Sequence, residues 1–454
     1  EIMPSLVGSE MCIRDRYEHS LKIYFCSRTN ELYIYYYEKG CDIMRTDYID
    51  KGILQVSVST EKFVIPTDNA LVRITDPLDG SVIEEVKTDS LGQTPAVELP
   101  APPLEYSVNG GDERPYALYN VTVSAADTEV LHIDGVQILP TSSAIQNAVL
   151  RPAVPGGFNV RNTLITSHSL WTNYPAKIPE NEVKPIDNSS GFVVLPEPVI
   201  PEYIVVHLGN PDDISAGDVE VPFKEYIKNV ASCEIYSTWK TETIKANILA
   251  ILSFTLNRVY TEWYRGKGHD FTVTNSTAYD QAFNYGRNIF KEISVAVDEL
   301  FTNYITRENI EQPLFTQYCD GKYTQCGGLS QWGSQALGEQ GYDALSILKT
   351  YYGSDIYIES AEKVEGIPSS YPGEPLQIGS LGEAVRTVQT QLNKISNNYP
   401  LIAKLRVDGS YGESTANSVK TFQKIFYLPE TGVVDFSTWY QISNIYVAIS
   451  KMAS

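Results

Sequence analysis

Between Trp239 and Tyr264 the sequence "WKTETIKANILAILSFTLNRVYTEWY" spreads apolar residues over an unusually wide part of a helix's surface. Ile244, Ile248, Ile251 and Thr255 recur at helical spacing, and Leu252, Leu256 and Val259 widen the stripe. A helix apolar over so much of its surface is predicted to lie buried at the centre of its domain. Just ahead of it, in "NVASCEIYSTW", Glu234 stands between Cys233 and Ile235. An apolar setting disfavours the charged form of a carboxyl, and protonating a leaving oxygen requires an acid that still holds its proton. Glu234 is therefore the first candidate for acid chemistry. Capping the helix, or pairing with Lys240 or Lys245, is the other use such a residue has.

A chain of 454 residues is too long for a single core, and two to four domains are expected. A net charge of −21, with no basic run, argues against nucleic acid and anionic membrane surfaces as partners. No apolar run reaches the roughly 18 residues needed to span a bilayer, and the first residues lack a basic segment followed by an apolar one. Six cysteines without a CxxC pair argue against a zinc knuckle or thioredoxin-like site, and the five histidines are scattered with no HExxH. Cys319 and Cys326, seven residues apart, suit a disulfide or two buried thiols.

The opening residues lack structural logic. "SLVGSEMCIRDR" (Ser5–Arg16) resembles a translated sequencing adapter, so residues 1–43 are read as a non-native extension and Met44 as a start; a genuine β-rich extension from Tyr17 is the alternative. Residues 44–145 alternate apolar and polar residues between turns such as "DPLDG" and "DSLG", which predicts an antiparallel β-sandwich. Residues 146–202 are rich in Pro, Gly, Asn and Ser, the composition of an exposed connector. Residues 203–360 read as an α+β region, with helices over Trp239–Tyr264, Ala282–Ile305 and around Gln331–Tyr352. A linker, 361–375, leads to a three-helix unit, 376–454. The fold class is multidomain α+β.

Several stretches resemble known families. "TDSLGQTPAVELPAP" is similar to the centre of carboxypeptidase-regulatory (transthyretin-like) domains. "GSLGEAVRTVQTQL", "DGSYGEST" and "TGVVDFSTW" resemble the peptidoglycan-binding type 1 family; this implies a shallow groove for glycan or stem peptide, with Asp408, Tyr411 and Gln423 as candidate contacts. "NVASCEIYSTWKTETIKANILAILSF", "STAYDQAFNYG" and "GGLSQWGSQALGEQGYDALSILKTYYG" follow, in order, three motifs of the stage II sporulation protein D (SpoIID/LytB) family. That resemblance implies a peptidoglycan lytic transglycosylase with Glu234 as general acid/base. Ser253, Gln281, Ser330 and Gln331 would line the groove or hold it in shape. Two departures stand out: Leu252 occupies the position of a family arginine, and "TQCGG" replaces a G-H-G segment. The metal-binding segment of some members is also missing, so no cofactor is expected.

A transglycosylase needs one carboxylate, because the sugar's own 6-hydroxyl closes an anhydro ring; a hydrolase needs two, about 5–9.5 Å apart. Glu262, Asp270 and Asp280 are the acids that could serve as a second. The order of the parts resembles the spore cortex-lytic enzymes (SleC type). This implies a zymogen in the spore cortex or cell wall, activated on germination by a subtilisin-like protease that cuts between about Ala144 and Pro201. Its partners would be peptidoglycan glycan strands and that protease. A non-catalytic wall-binding or amidase-activating protein, or a muramidase-type hydrolase, is the alternative.

Overall fold

The computed structural model describes residues 12–14, 19–26, 31–38, 48–60, 65–172, 174–184 and 195–452. The chain forms two compact units, Glu1–Ile49 and Asp50–Ser454. In the first, strands β1 (Cys12–Arg14), β2 (His19–Cys26) and β3 (Glu31–Glu38) make an antiparallel sheet in sequential order. Met44 and most of Ser5–Arg16 lie outside the described residues.

The second unit opens with strands β4 (Asp50–Thr60), β5 (Ile65–Pro66), β6 (Leu71–Thr75), β7 (Val82–Lys87) and β8 (Val97–Ala101). A short helix, α1 (Leu104–Asn109), precedes β9 (Ala117–Ser124), β10 (Val130–Ile138), β11 (Ser143–Leu150) and β12 (Val160–Leu164). Next come β13 (Val199–Ile200), β14 (Tyr203–His207), β15 (Asp218–Pro222), α2 (Phe223–Glu234), α3 (Thr241–Tyr260), β16 (Val273–Thr274), β17 (Ile289–Phe290) and α4 (Lys291–Leu300). The central region continues through β18 (Asn303–Arg307), β19 (Tyr318–Cys319), β20 (Leu329–Ser330), α5 (Gln331–Glu339), α6 (Ala344–Tyr352), β21 (Ile356–Ser360) and β22 (Lys363–Val364). Helices α7 (Glu383–Ile395), α8 (Glu413–Ile425) and α9 (Phe436–Met452) close the chain. The architecture is mixed α+β, with N-terminal sheets, a central α/β region and C-terminal helices.

The N-terminal strands follow the period-2 rule: Leu54, Val56 and Val58 of β4, and Tyr119, Val121 and Val123 of β9, are buried on alternate positions. One sheet has the order β12-β10-β9-β6-β7, the other β17-β11-β4-β5 with β8 beside β4. Two of the pairings are parallel, β4 with β11 and β10 with β12, where a purely antiparallel arrangement was expected. The strands between β4 and β11 supply the long crossover that a parallel pair needs. The stretch read as connector is also more structured than its composition suggests. Strand β11 runs on to Leu150, β12 adds an edge to one sheet, and Lys184 and His168 are buried.

Helix α3 is buried on every side and packs against α2, α4, α5, α6 and β18. It is shorter at both ends than the apolar pattern, because Lys240 is extended and Glu262 turns the chain with φ 48°. Helix α4 occupies only the middle of the expected Ala282–Ile305 helix. Gly286, at φ 82°, breaks the pattern before it, and Asn303–Arg307 pair with β21 instead. The third expected helix is two, α5 and α6, divided at Gly341 (φ 87°) and restarted by Asp343, whose carboxylate accepts from Ser346 N–H at 2.9 Å.

The C-terminal helices lean on the central region through a buried charge cluster. Asp298 accepts from Lys224 Nζ at 3.0 Å and Lys228 Nζ at 2.9 Å, while Lys224 also reaches Gln441 of α9 at 2.7 Å. Burial alone would raise the Asp298 carboxyl; the two ammonium groups outweigh it and hold the group below the usual carboxylate range. A depressed carboxyl contributes stability that is complete above its unfolded pKa and is lost as the pH falls through its folded value. Asp298→Ala should therefore cost about 3–5 kcal/mol at neutral pH, since it strands two buried lysines. In denaturant titrations that difference should shrink at acid pH.

Candidate functional site

Glu234 is the last residue of α2, and its neighbours in sequence and space hold it inside the protein at 4% exposure. Its surroundings are polar, where the local sequence predicted an apolar setting. Oε1 accepts from the Ala282 N–H at 2.8 Å and the Tyr318 hydroxyl at 3.4 Å. Oε2 faces the Ser169 hydroxyl and the Gln331 amide, both at 3.2 Å, and Gln331 Nε2 also reaches the Glu234 carbonyl at 2.9 Å. The Lys240 and Lys245 pairings do not form: these residues bridge to Glu339 and Glu299.

The four partners differ chemically. An amide N–H only donates, whereas a hydroxyl both donates and accepts. Ser169 and Tyr318 can therefore serve Glu234 as a carboxylate or as an acid, while Ala282 and Gln331 fix its orientation. Burial, reinforced by the Glu234 charge, raises the Tyr318 phenol well above its ordinary range and keeps it protonated. Lys177 lies over the Tyr318 ring at 4.8 Å and the Phe254 ring at 5.5 Å, with its ammonium on the Thr277 and Asp280 carbonyls. Burial lowers its pKa, and the Glu234 charge opposes that shift.

Strand pairing places two of these partners. β19 runs parallel to β20, with Tyr318 opposite Leu329 and Cys319 opposite Ser330. The loop between them is closed by the Cys319–Cys326 disulfide and by Asp320, which accepts three backbone N–H groups from Lys322, Tyr323 and Thr324. Gln331 then opens α5, with Ser330 as its N-cap: Ser330 Oγ accepts from Gly333 N–H at 3.0 Å.

Of the residues singled out from sequence, Gln331 alone touches Glu234. Gln281 is fully buried, accepting from Tyr226 at 3.1 Å and Thr255 at 2.8 Å; it fixes the backbone that presents Ala282 N–H. Ser253 ties α3 to the Ile305 and Leu314 carbonyls, at 3.1 and 2.9 Å, and faces no groove. The C-terminal candidates are folding groups. Tyr411 is buried with its hydroxyl on Gly432 O, and Gln423 is buried among Thr431, Val433 and Thr438. Asp408, exposed, accepts from Ser410 N–H and Gln389, which shape the turn and lower its pKa. The missed residues, Ser169 and Tyr318, carry no local signal.

The acids weighed as second carboxylates are paired elsewhere or exposed. Asp280 is bound to Arg258 at 2.8 Å, Tyr264 at 2.7 Å, and Thr274 through both N–H and hydroxyl at 2.8 Å. Glu262 pairs with Arg265, and Asp270 is exposed. Arg258 is thus engaged by Asp280 and Glu180, and Leu252, at the position of the family arginine, is buried in α3.

Comparison with known families places this geometry. Residues 218–306, holding Glu234, Ser253 and Gln281, match the model described as "Stage II sporulation protein" (SpoIID). Residues 382–442 match "Putative peptidoglycan binding domain". The chain joins a SpoIID domain to a peptidoglycan-binding domain. The SpoIID match ends before Tyr318 and Gln331, so half of the Glu234 setting comes from beyond it, and Ser169 from ahead of it. No curated protein matches the chain. One similar solved structure, the Bacillus anthracis TIE protein, shares 13% identity over 30% of this chain and 24% of its own, with a TM-score of 0.16, too small a likeness to bear on the fold. No helix among the described residues is long and apolar enough to cross a membrane.

Proposed function

We propose that this protein is a peptidoglycan lytic transglycosylase that acts on spore cortex glycan during germination and is stored in an inactive, covered form. The observation that carries the reading is a buried carboxylate, Glu234, on which four donors converge, two of them hydroxyls that can serve either protonation state. Glu234 protonates the bridging oxygen of the MurNAc–GlcNAc bond as it breaks; the resulting carboxylate then takes the proton from the sugar's 6-hydroxyl as that oxygen bonds to the anomeric carbon. One group suffices, which agrees with the engagement of Asp280 and Glu262 elsewhere. The peptidoglycan-binding domain raises the local concentration of an insoluble substrate. Digestion of purified cortex after proteolytic activation, followed by mass spectrometry, tests the reading. Anhydro-muramic ends support it, reducing ends point to a muramidase-type hydrolase, and no products to a binding or amidase-activating protein.

Storage as a zymogen is supported by the N-terminal strands that pack on the central region, where β11 pairs with β17 through Ala144 opposite Phe290 and Ile145 opposite Ile289. An activating subtilisin-like protease needs an extended, accessible segment. Within the Ala144–Pro201 window, Ala144 is buried in the sheet, whereas the loop between β11 and β12 exposes Val154 at 61% and Phe158 at 102%. The first cut is expected within residues 151–159, read by N-terminal sequencing of the fragment. A first cut outside Ala144–Pro201 would end the zymogen proposal.

A further inference from the structure

Two residues beyond Glu234 the chain enters an aromatic cluster. Tyr236, Trp239 and Trp332 meet with ring centroids 5.9, 6.0 and 5.1 Å apart. Trp332 directly follows Gln331, the amide on Glu234, so the cluster adjoins the carboxylate through both of its strands of sequence. Its outer face is covered by the turn after α1. The bare backbone of Gly110 lies on the Trp332 indole so closely that a Cβ there would stand 2.9 Å from Cη2. Ser107 O accepts from Trp239 Nε1 at 2.8 Å, and Ser107 Oγ meets the Thr238 hydroxyl at 2.9 Å. Lys322 donates to the Gly110 carbonyl, and Tyr323 to Asp112 at 3.3 Å. Trp332 Nε1 is buried with no hydrogen-bond partner among the described residues.

We propose that Trp239 and Trp332 form a sugar-stacking platform beside Glu234, and that the N-terminal region inhibits by seating residues 107–112 on it. The choice of ligand class rests on the glycan reading above. The chemistry of the covered face supports it. Indole faces stack on sugar C–H surfaces, and the groups around them are donors matched to hydroxyl and acetamide oxygens: two indole N–H groups, the Thr238 hydroxyl and the Lys322 ammonium. The turn satisfies all of these except Trp332 Nε1. A buried N–H left unpaired is destabilising, and a ligand acceptor would relieve it.

The test uses the full chain in a Glu234→Gln background, so that binding is read without cleavage, and titrates a GlcNAc–MurNAc tetrasaccharide against tryptophan fluorescence. Gly110→Val, which drives a side chain into Trp332 from a φ of 67°, should unseat the turn and tighten binding at least tenfold. Lys322→Ala with Tyr323→Phe loosens the same turn from its other side and serves if Gly110→Val does not fold. Adding Trp332→Ala to either should return binding to the parent level, and Trp332→Phe should retain part of the gain. Binding by the C-terminal domain is common to all variants and drops out of the difference. Loosened chains that bind no tighter, or that bind equally well without Trp332, overturn the platform. If the loosened chains bind as expected but their Glu234-containing forms release no product, the platform stands and the lytic reading fails.

Discussion

Glu234→Gln, in the protease-activated protein, is expected to lower the release of anhydro-muramic ends from purified cortex by about 10²–10⁴-fold, the range that general acid–base catalysis supplies. The loss should be chemical rather than structural. A glutamine can keep its oxygen toward the Ala282 N–H and turn its amide toward Ser169, whose hydroxyl can accept. One conflict remains, because that amide also meets the Gln331 Nε2, now donor against donor. The expected destabilisation is about 1–3 kcal/mol, the cost of one buried unsatisfied group. Product yield and thermal midpoint, measured on the same preparation, separate the two effects. A variant that folds and still releases anhydro ends at the parent rate would remove Glu234 from the mechanism.

Arg258→Ala should unfold the central region far more readily than any change at the site. The guanidinium has no exposed side-chain surface, and it joins Asp280 at 2.8 Å to both oxygens of Glu180 at 2.9 and 2.7 Å, with the Tyr279 carbonyl at 3.0 Å. Its removal leaves the Asp280 carboxylate without its counter-charge and Glu180 with Lys184 alone, at a cost of about 3–5 kcal/mol. Burial would raise the Glu180 carboxyl, yet Arg258 and Lys184 hold it low, which shows how much of this corner the arginine organises. Arg258→Lys should recover little, because one ammonium cannot reproduce a planar fork that reaches three carboxylate oxygens. The midpoint of denaturant unfolding reads both variants. This arginine also ties residues 177–184, part of the stretch read as a connector, to the end of α3, so its loss should expose that stretch to protease.

Much of the scaffold was legible because its signals are local. The apolar stripe through Ile244, Ile248 and Ile251 could satisfy water on no side, and α3 is buried accordingly. The turns at Gly409 and Gly432, with φ of 75° and 72°, carry glycine because other residues resist that conformation. Helix ends were less legible: Gly286 and Gly341 break patterns whose apolar spacing continues past them, since periodicity registers burial and not backbone continuity.

Sequence alone singled out Glu234 as the candidate carboxylate, showed which families the two motif-bearing stretches match, and predicted that α3 forms a buried core. Tertiary structure alone decided the character of the site. The groups around Glu234 stand 65, 48, 84 and 97 residues away, at Ser169, Ala282, Tyr318 and Gln331. Neighbours such as Cys233 and Ile235 announce a greasy pocket, but a hydrogen bond needs only proximity and direction. Partners recruited from distant loops therefore leave no trace in the spacing of the residues beside it.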